Sequence, residues 1–382
     1  MNLFDPIWFA PLLLMVIVYG TYGTLALVFG DSKKSVARKN KLYRPYISIV
    51  IPSYNEEKII RTKLENTLEV SYPKDRQEII VVDSSSDGTP EVVSEYARRC
   101  NYLRLIHEER REGVATALNK AYSTAVGDIV VRTDCDSLLD ENAILEIVSN
   151  FADPFVGAVA GKIIVLNKEK KELRYRTIQQ RIQMAESRMD STFIIHGPFC
   201  AFRRELIKQI DPRSMADDTE VALEIRKQGY RVIYDHQAEY YEASPENFAE
   251  RLELKSRRAQ GLIKLLLNNI RMCFNPRFSI YGMIVFPMNF FMLIVSPVLM
   301  LVIPSLFVAD LLLTRSFVII DSLALAFLAL TVLLRKKKTV SSIWAFIELQ
   351  YAQLVALKNI VIGNDQSVWQ KQESIRKYYV TR

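Results

Sequence analysis

The chain has 382 residues, 49% of them apolar, and a formal net charge of +7. That length accommodates one soluble domain of ordinary size and several membrane spans. Four cysteines without a CxxC pair and only three histidines argue against a structural zinc site and fit a reducing compartment. The basic excess argues against a nucleic-acid groove, because it gathers beside apolar runs: Lys33, Lys34, Arg38, Lys39 and Lys41 after the first, Arg335, Lys336, Lys337 and Lys338 after the last.

In chain order, residues 7–29 form an uncharged apolar run long enough to span a bilayer core with some tilt. The only charged side chain before it is Asp5, and the basic residues follow it, which is the reverse of a signal peptide. The positive-inside bias then puts residues 31 onward in the cytoplasm. Residues 46–140 alternate strand and helix. Ile47, Ile49 and Ile51 start a buried strand that stops at Pro52, and helical character runs over residues 56–69. Residues 79–82, 102–106 and 129–132 read as further strands, with helices after Pro90 and after Gly113. This alternation predicts a mostly parallel sheet covered by helices on both faces. Acidic residues stand at strand exits: Asp83 after one, Asp134 and Asp136 after another. Ligands of open α/β sheets bind at that rim.

A second uncharged run covers residues 281–309 and contains Pro287, Pro297 and Pro304; a third covers residues 317–334 and ends in "RKKK". Three spans keep residues 31–280 and the tail on one side, giving a multi-pass cell-membrane protein with a cytoplasmic domain. Residues 343–362 place Gln350, Gln353 and Lys358 on one helix face, which points to a segment along the interface; a fourth span is the alternative. Residues 261–278 also suit the membrane surface. The expected organisation is therefore a transmembrane helix over 1–30, a cytoplasmic domain over 31–262 and an interface helix over 263–280. Two spans over 281–334 and an amphipathic helix with a cytoplasmic tail over 335–382 complete it.

Asp134-Cys135-Asp136 places two carboxylates one residue apart, a spacing that can share a hard divalent cation with substrate phosphates. Around it stand "PSYNEE" at 52–57, "VVDSSSDGT" at 81–89, "REGVATALNKAY" at 111–122, "GPFCAFRRELI" at 197–207 and "MADDTEVALEIRKQGYRVIY" at 215–234. In this order, across residues 46–261, the motifs resemble the inverting family 2 glycosyltransferases, the group of cellulose, chitin and hyaluronan synthases and dolichyl-phosphate sugar synthases. The resemblance implies a GT-A fold, Rossmann-like and mostly parallel. It implies that Ser53, Tyr54, Asn55, Glu56 and Asp83 line the nucleobase pocket. Asp134 and Asp136 would hold the diphosphate and Mg²⁺ or Mn²⁺, and Asp218 would deprotonate the acceptor hydroxyl. Asp217 stands where the family usually has Glu.

One motif departs from the family. Processive members carry QxxRW, whereas this chain, aligned on Gly261, reads "LKSRRAQG" with Leu254, Arg257 and Arg258 at the three positions. Arg257 and Arg258 suit a diphosphate; a solvated helix face or a lipid headgroup contact is the other reading. "SVWQKQESIR" at 367–376 resembles the tail that closes over the nucleotide in polymer-forming members, which would place Trp369 at the donor; an interface anchor is the alternative. The expected activity is metal-dependent, inverting transfer from a nucleotide sugar, a UDP-sugar first, to a growing membrane-associated oligo- or polysaccharide. Single transfer to a polyprenyl or other lipid acceptor is the second reading, and a non-catalytic membrane scaffold the third. The expected partners are donor, carbohydrate or lipid-linked acceptor and lipid bilayer. A homo-oligomer would add polar walls for a glycan path.

Overall fold

The computed structural model describes residues 7–30, 35–167, 170–245, 247–314, 338–364 and 373–380. The third apolar run and Trp369 lie outside the described residues. Helix α1 (Phe9–Gly30) precedes the sheet domain. That domain runs β1 (Ile47–Ser53), α2 (Ile60–Glu69), β2 (Gln77–Asp83), α3 (Thr89–Arg99), β3 (Leu103–His107), α4 (Val114–Thr124), β4 (Ile129–Thr133) and β5 (Ser137–Leu139). It continues with α5 (Ala143–Ser149), β6 (Val156–Val165), α6 (Lys170–Met189), β7 (Phe199–Arg203), α7 (Asp217–Lys227), β8 (Arg231–Glu242) and α8 (Phe248–Asn268).

The eight strands form one sheet in the order β3-β2-β1-β4-β7-β6-β8-β5. The half read from sequence, β3-β2-β1-β4, is parallel throughout. The other half is mixed: β7 runs antiparallel to β4 and β6, β8 is parallel to β6, and β5 is antiparallel to β8. Side-chain alternation explains why both faces are covered. Ile47, Ile49 and Ile51 of β1 with Ile79 and Val81 of β2 enter one core; Val50, Ile80 and Val82 enter the other. The helix expected from residue 56 starts at Ile60 instead. Asn55 takes a left-handed φ of 53°, and Glu56 is held from its backbone N–H by Thr89 Oγ1 at 2.9 Å, so the chain turns before it coils.

Beyond the sheet, α8 is continuous through residue 262, where a domain boundary was expected, and ends at Asn268. An apolar helix, α9 (Tyr281–Asp310), follows. α1 and α9 are the two helices among the described residues long and apolar enough to cross a membrane. α9 widens to π-turns at Tyr281–Val285 and Phe291–Val295. Each contains the residue four before a proline, Met283 before Pro287 and Leu293 before Pro297. The proline ring would collide with that carbonyl in a regular helix, and a wider turn relieves it. α10 (Lys338–Val361) packs along α8, and α11 (Glu373–Val380) lies against the sheet domain. The glutamines that make this stretch read as amphipathic point inward. Tyr19 donates to Ser296 Oγ (2.9 Å), Ser296 donates to Gln350 Oε1 (2.9 Å), and Gln350 Nε2 donates back to Tyr19 (3.1 Å). Such a closed ring satisfies polar groups where water is scarce.

Candidate active site

The loop leaving β4 carries Asp134 and Asp136, and the N-terminus of α7 carries Asp217 and Asp218. A cavity of about 570 Å³ is lined by all four, together with Arg257 and Arg258 from α8. Arg132 joins the two acidic pairs from beneath. Its Nη1 lies 2.5 Å from Asp217 Oδ2 and its Nε 3.4 Å from Asp134 Oδ1. Gly197 lets the Arg132 guanidinium sit close, because a Cβ would stand 2.7 Å from it and displace it. Asp218 accepts from the backbone N–H of Gly197 (2.7 Å) and of Thr219 (2.6 Å). Burial, with Asp217 alongside, pushes the Asp218 carboxyl up to about 6, against the pull of Arg132. Burial also raises Asp134, with Arg132 opposing. Arg257 is pushed down to about 10 by burial and by Arg258, and stays cationic at neutral pH.

The exits of β1 and β2 form a second cluster. Asp83 is fully buried and acts as a hub. Ser53 Oγ donates to it at 2.5 Å, Ser85 donates through Oγ (2.6 Å) and backbone N–H (3.1 Å), and His107 Nδ1 lies 3.5 Å away. The two turns are stitched by Asn55 N–H to Ser85 Oγ (2.6 Å) and Ser86 N–H to Asn55 Oδ1 (2.9 Å). Arg111 stacks over the Tyr54 ring at 3.6 Å. Glu56 is buried and joins this cluster to the aspartate loop through Arg376, which contacts both Glu56 and Asp136.

Thus the structure brings Asp134, Asp136, Asp217, Asp218, Arg257 and Arg258 into one cavity, and Ser53, Tyr54, Asn55, Glu56 and Asp83 onto the adjoining rim. Asp134 and Asp136 are hard oxygen donors facing that cavity. No group of three or more metal-ligating side chains occurs among the described residues, so a cation here would draw its remaining ligands from substrate and water. Four residues escaped the sequence reading. Arg132 interrupts an apolar strand, which is a legible signal. Lys63 falls on the buried stripe of α2 with Ile60, Leu64 and Thr67, another legible signal. Its ammonium donates to Thr133 Oγ1 (2.6 Å) and the Ser137 carbonyl (2.7 Å), clamping the aspartate loop, and burial pushes its pKa down to about 8. Arg376 and Tyr379 of α11 reach the same loop from far along the chain; the resemblance of residues 367–376 to a tail that closes over the nucleotide points this segment at the site, but it singles out Trp369 and gives these two residues no role.

Residues 48–211 match the family model for glycosyl transferase family 2. The mannosyltransferase PcManGT from Pyrobaculum calidifontis, solved with GDP-Man and Mn²⁺, superposes with a TM-score of 0.77 at 28% identity, covering 93% of this chain and 98% of that one. The chain classifies as a glycosyltransferase of GT-A fold. Among curated relatives, the probable glycosyltransferase YdaM of Bacillus subtilis is 30% identical over 238 residues, 59% of this chain and 57% of the relative. The poly-β-1,6-N-acetyl-D-glucosamine synthase of Staphylococcus aureus is 28% identical over 232 residues, 58% of this chain and 56% of the relative. The chain therefore matches little more than half the length of these two relatives.

Proposed function

We propose that this glycosyltransferase moves a sugar, with inversion, from a nucleotide-sugar donor to a hydroxyl of a membrane-associated, growing saccharide. One observation supports this most directly: a single cavity holds a carboxylate of raised basicity, a pair of hard carboxylates and two arginines, and continues to Tyr19 of α1, Met292 and Leu293 of α9, and Phe346 and Leu349 of α10. In this reading the Ser53–Glu56 turn and the Asp83 hub cup the nucleobase. Asp134 and Asp136 would hold Mg²⁺ or Mn²⁺, which, when bound with the donor, supplies neutralisation of the leaving diphosphate. Arg257 and Arg258 grip the same diphosphate. The acceptor oxygen bonds to the anomeric carbon as the bond to the diphosphate breaks, and Asp218 takes the acceptor proton. One displacement inverts the centre, and no carboxylate bonds to the sugar.

The resemblance favours a UDP-sugar, while the mannosyltransferase neighbour was solved with GDP-Man. A donor screen therefore includes both nucleotides. A lipid bilayer would cover the apolar side chains left exposed on α1 (Leu13, Leu14, Val16, Ile17) and α9 (Val298, Leu301, Val302). The domain would face the cytoplasm. The apolar far wall of the cavity favours a second reading, single transfer to a polyprenyl-linked acceptor. Product sizing with excess donor decides between them. A ladder supports the growing saccharide; a single added sugar on a lipid replaces it with the second reading; no transfer from any nucleotide sugar overturns both.

A further inference from the structure

Arg376 is 2% exposed, an unusual place for a guanidinium. It grips Glu56 through Nη2 (2.5 Å) and Nε (3.3 Å) and reaches Asp136 Oδ2 through Nη1 (3.1 Å). Its helix, α11, has eight residues and is anchored around the same site. Tyr379 donates its hydroxyl to the Asp136 carbonyl and accepts from the Ala243 N–H at 3.0 Å. Ser374 Oγ lies 2.5 Å from Glu250 Oε2, and Ile375 lines the cavity that holds the four aspartates. Asp134 is meanwhile served by Arg132. Each of the two carboxylates offered to a divalent cation thus already has an internal cation.

We propose that Arg376 is a built-in counter-ion of the cation site, holding Asp136 while the donor is absent and leaving it when cation and donor load together. This rests on reading Asp134 and Asp136 as the cation ligands. A divalent ion on Asp136 would stand within a few ångströms of the guanidinium, and like charges at that range in a buried site repel strongly. The cation alone therefore binds poorly. A donor diphosphate changes the balance, because it offers the guanidinium new anionic oxygens as Asp136 turns to the metal. α11 thereby couples cation loading to donor arrival and keeps Asp136 from acting as an open metal trap.

The test uses the full chain in detergent and Mn²⁺ as the probe, without donor, followed by electron paramagnetic resonance. Arg376→Gln removes the competing charge and is expected to tighten Mn²⁺ binding about tenfold. Unchanged or weaker binding overturns the proposal, since a merely structural arginine would leave Asp136 misplaced and lower the affinity. Asp136→Asn separates the two layers of the argument: if it leaves Mn²⁺ binding intact, the cation-site reading itself fails. Should Arg376→Gln not fold, hydrogen exchange on the wild type decides. Adding Mn²⁺ with a nucleoside diphosphate is expected to speed exchange across Glu373–Val380, and unchanged or slower exchange there overturns the proposal.

Discussion

Asp218 meets two opposed demands: a base must be ionised, yet this one is buried beside another carboxylate. The outcome is a carboxyl raised from 3.8 to about 6, ionised at neutral pH and more basic than an exposed aspartate. Protonation below that value removes the base, so kcat/KM is expected to be flat above about pH 6 and to fall as the pH drops through it, which a pH–rate profile checks. Folding stability moves oppositely. The folded state binds this proton more tightly than the unfolded chain, so the group's contribution to stability increases as pH falls from 6 towards 4. Asp218→Asn should keep donor binding and lower turnover by roughly 10²–10⁴-fold; unimpaired turnover in that variant would place the base elsewhere. Asp136→Asn should abolish transfer with the fold intact, and excess chelator should do the same to the wild type. Wild-type activity in chelator would sink metal dependence.

At the level of elements, the site depends on how closely α8 approaches the loop before α7. Gly261 lies one helical turn beyond Arg257, on the same face, where a Cβ would stand 2.8 Å from the Met215 carbonyl carbon and oxygen. Backbone on the other side leaves nothing flexible to yield. Gly261→Ala should therefore push the Met215–Ala216 segment away and shift Asp217 and Asp218 relative to the α8 arginines. The expected cost is about 1–3 kcal/mol of stability, read by thermal or denaturant unfolding, with a fall in kcat larger than any change in KM. A stable, fully active Gly261→Ala would show that this approach is not tight. The aspartate-bearing ends of β2 and β4 could be read from sequence because each strand is a short apolar run followed by its own acidic exit. The α8 contact could not, since the glycine's neighbour, Met215, lies 46 residues earlier in the chain.

For the whole molecule, the sheet domain and the apolar helices share polar anchors as well as surface. Glu186 of α6 takes hydrogen bonds from Tyr22 of α1 and, at 2.7 Å, from Asn289 of α9. Burial raises the Glu186 carboxyl while these partners hold it down. This junction ties the sheet domain that bears the cavity to α1 and α9. With the domain in the cytoplasm, a cysteine introduced at Gln370 should resist a membrane-impermeant thiol reagent in intact cells and react after permeabilisation. Labelling in intact cells would place that residue outside and require one more crossing.

By itself the amino-acid order determined what depends on neighbours in the chain: the apolar runs, the alternating strands of β1 to β4 and the acidic residues at their exits. These are local, because hydrophobic periodicity and turn chemistry act over a few residues. Tertiary structure alone decided the mixed half of the sheet, where β5 finds β8, and the inward turn of Gln350. It also decided that Arg376 settles between Glu56 and Asp136, which it follows by 320 and 240 positions. A long-range ion pair leaves no period in the sequence. Its energy arises from burial and geometry, and these exist only once the sheet has brought the strand ends to one rim.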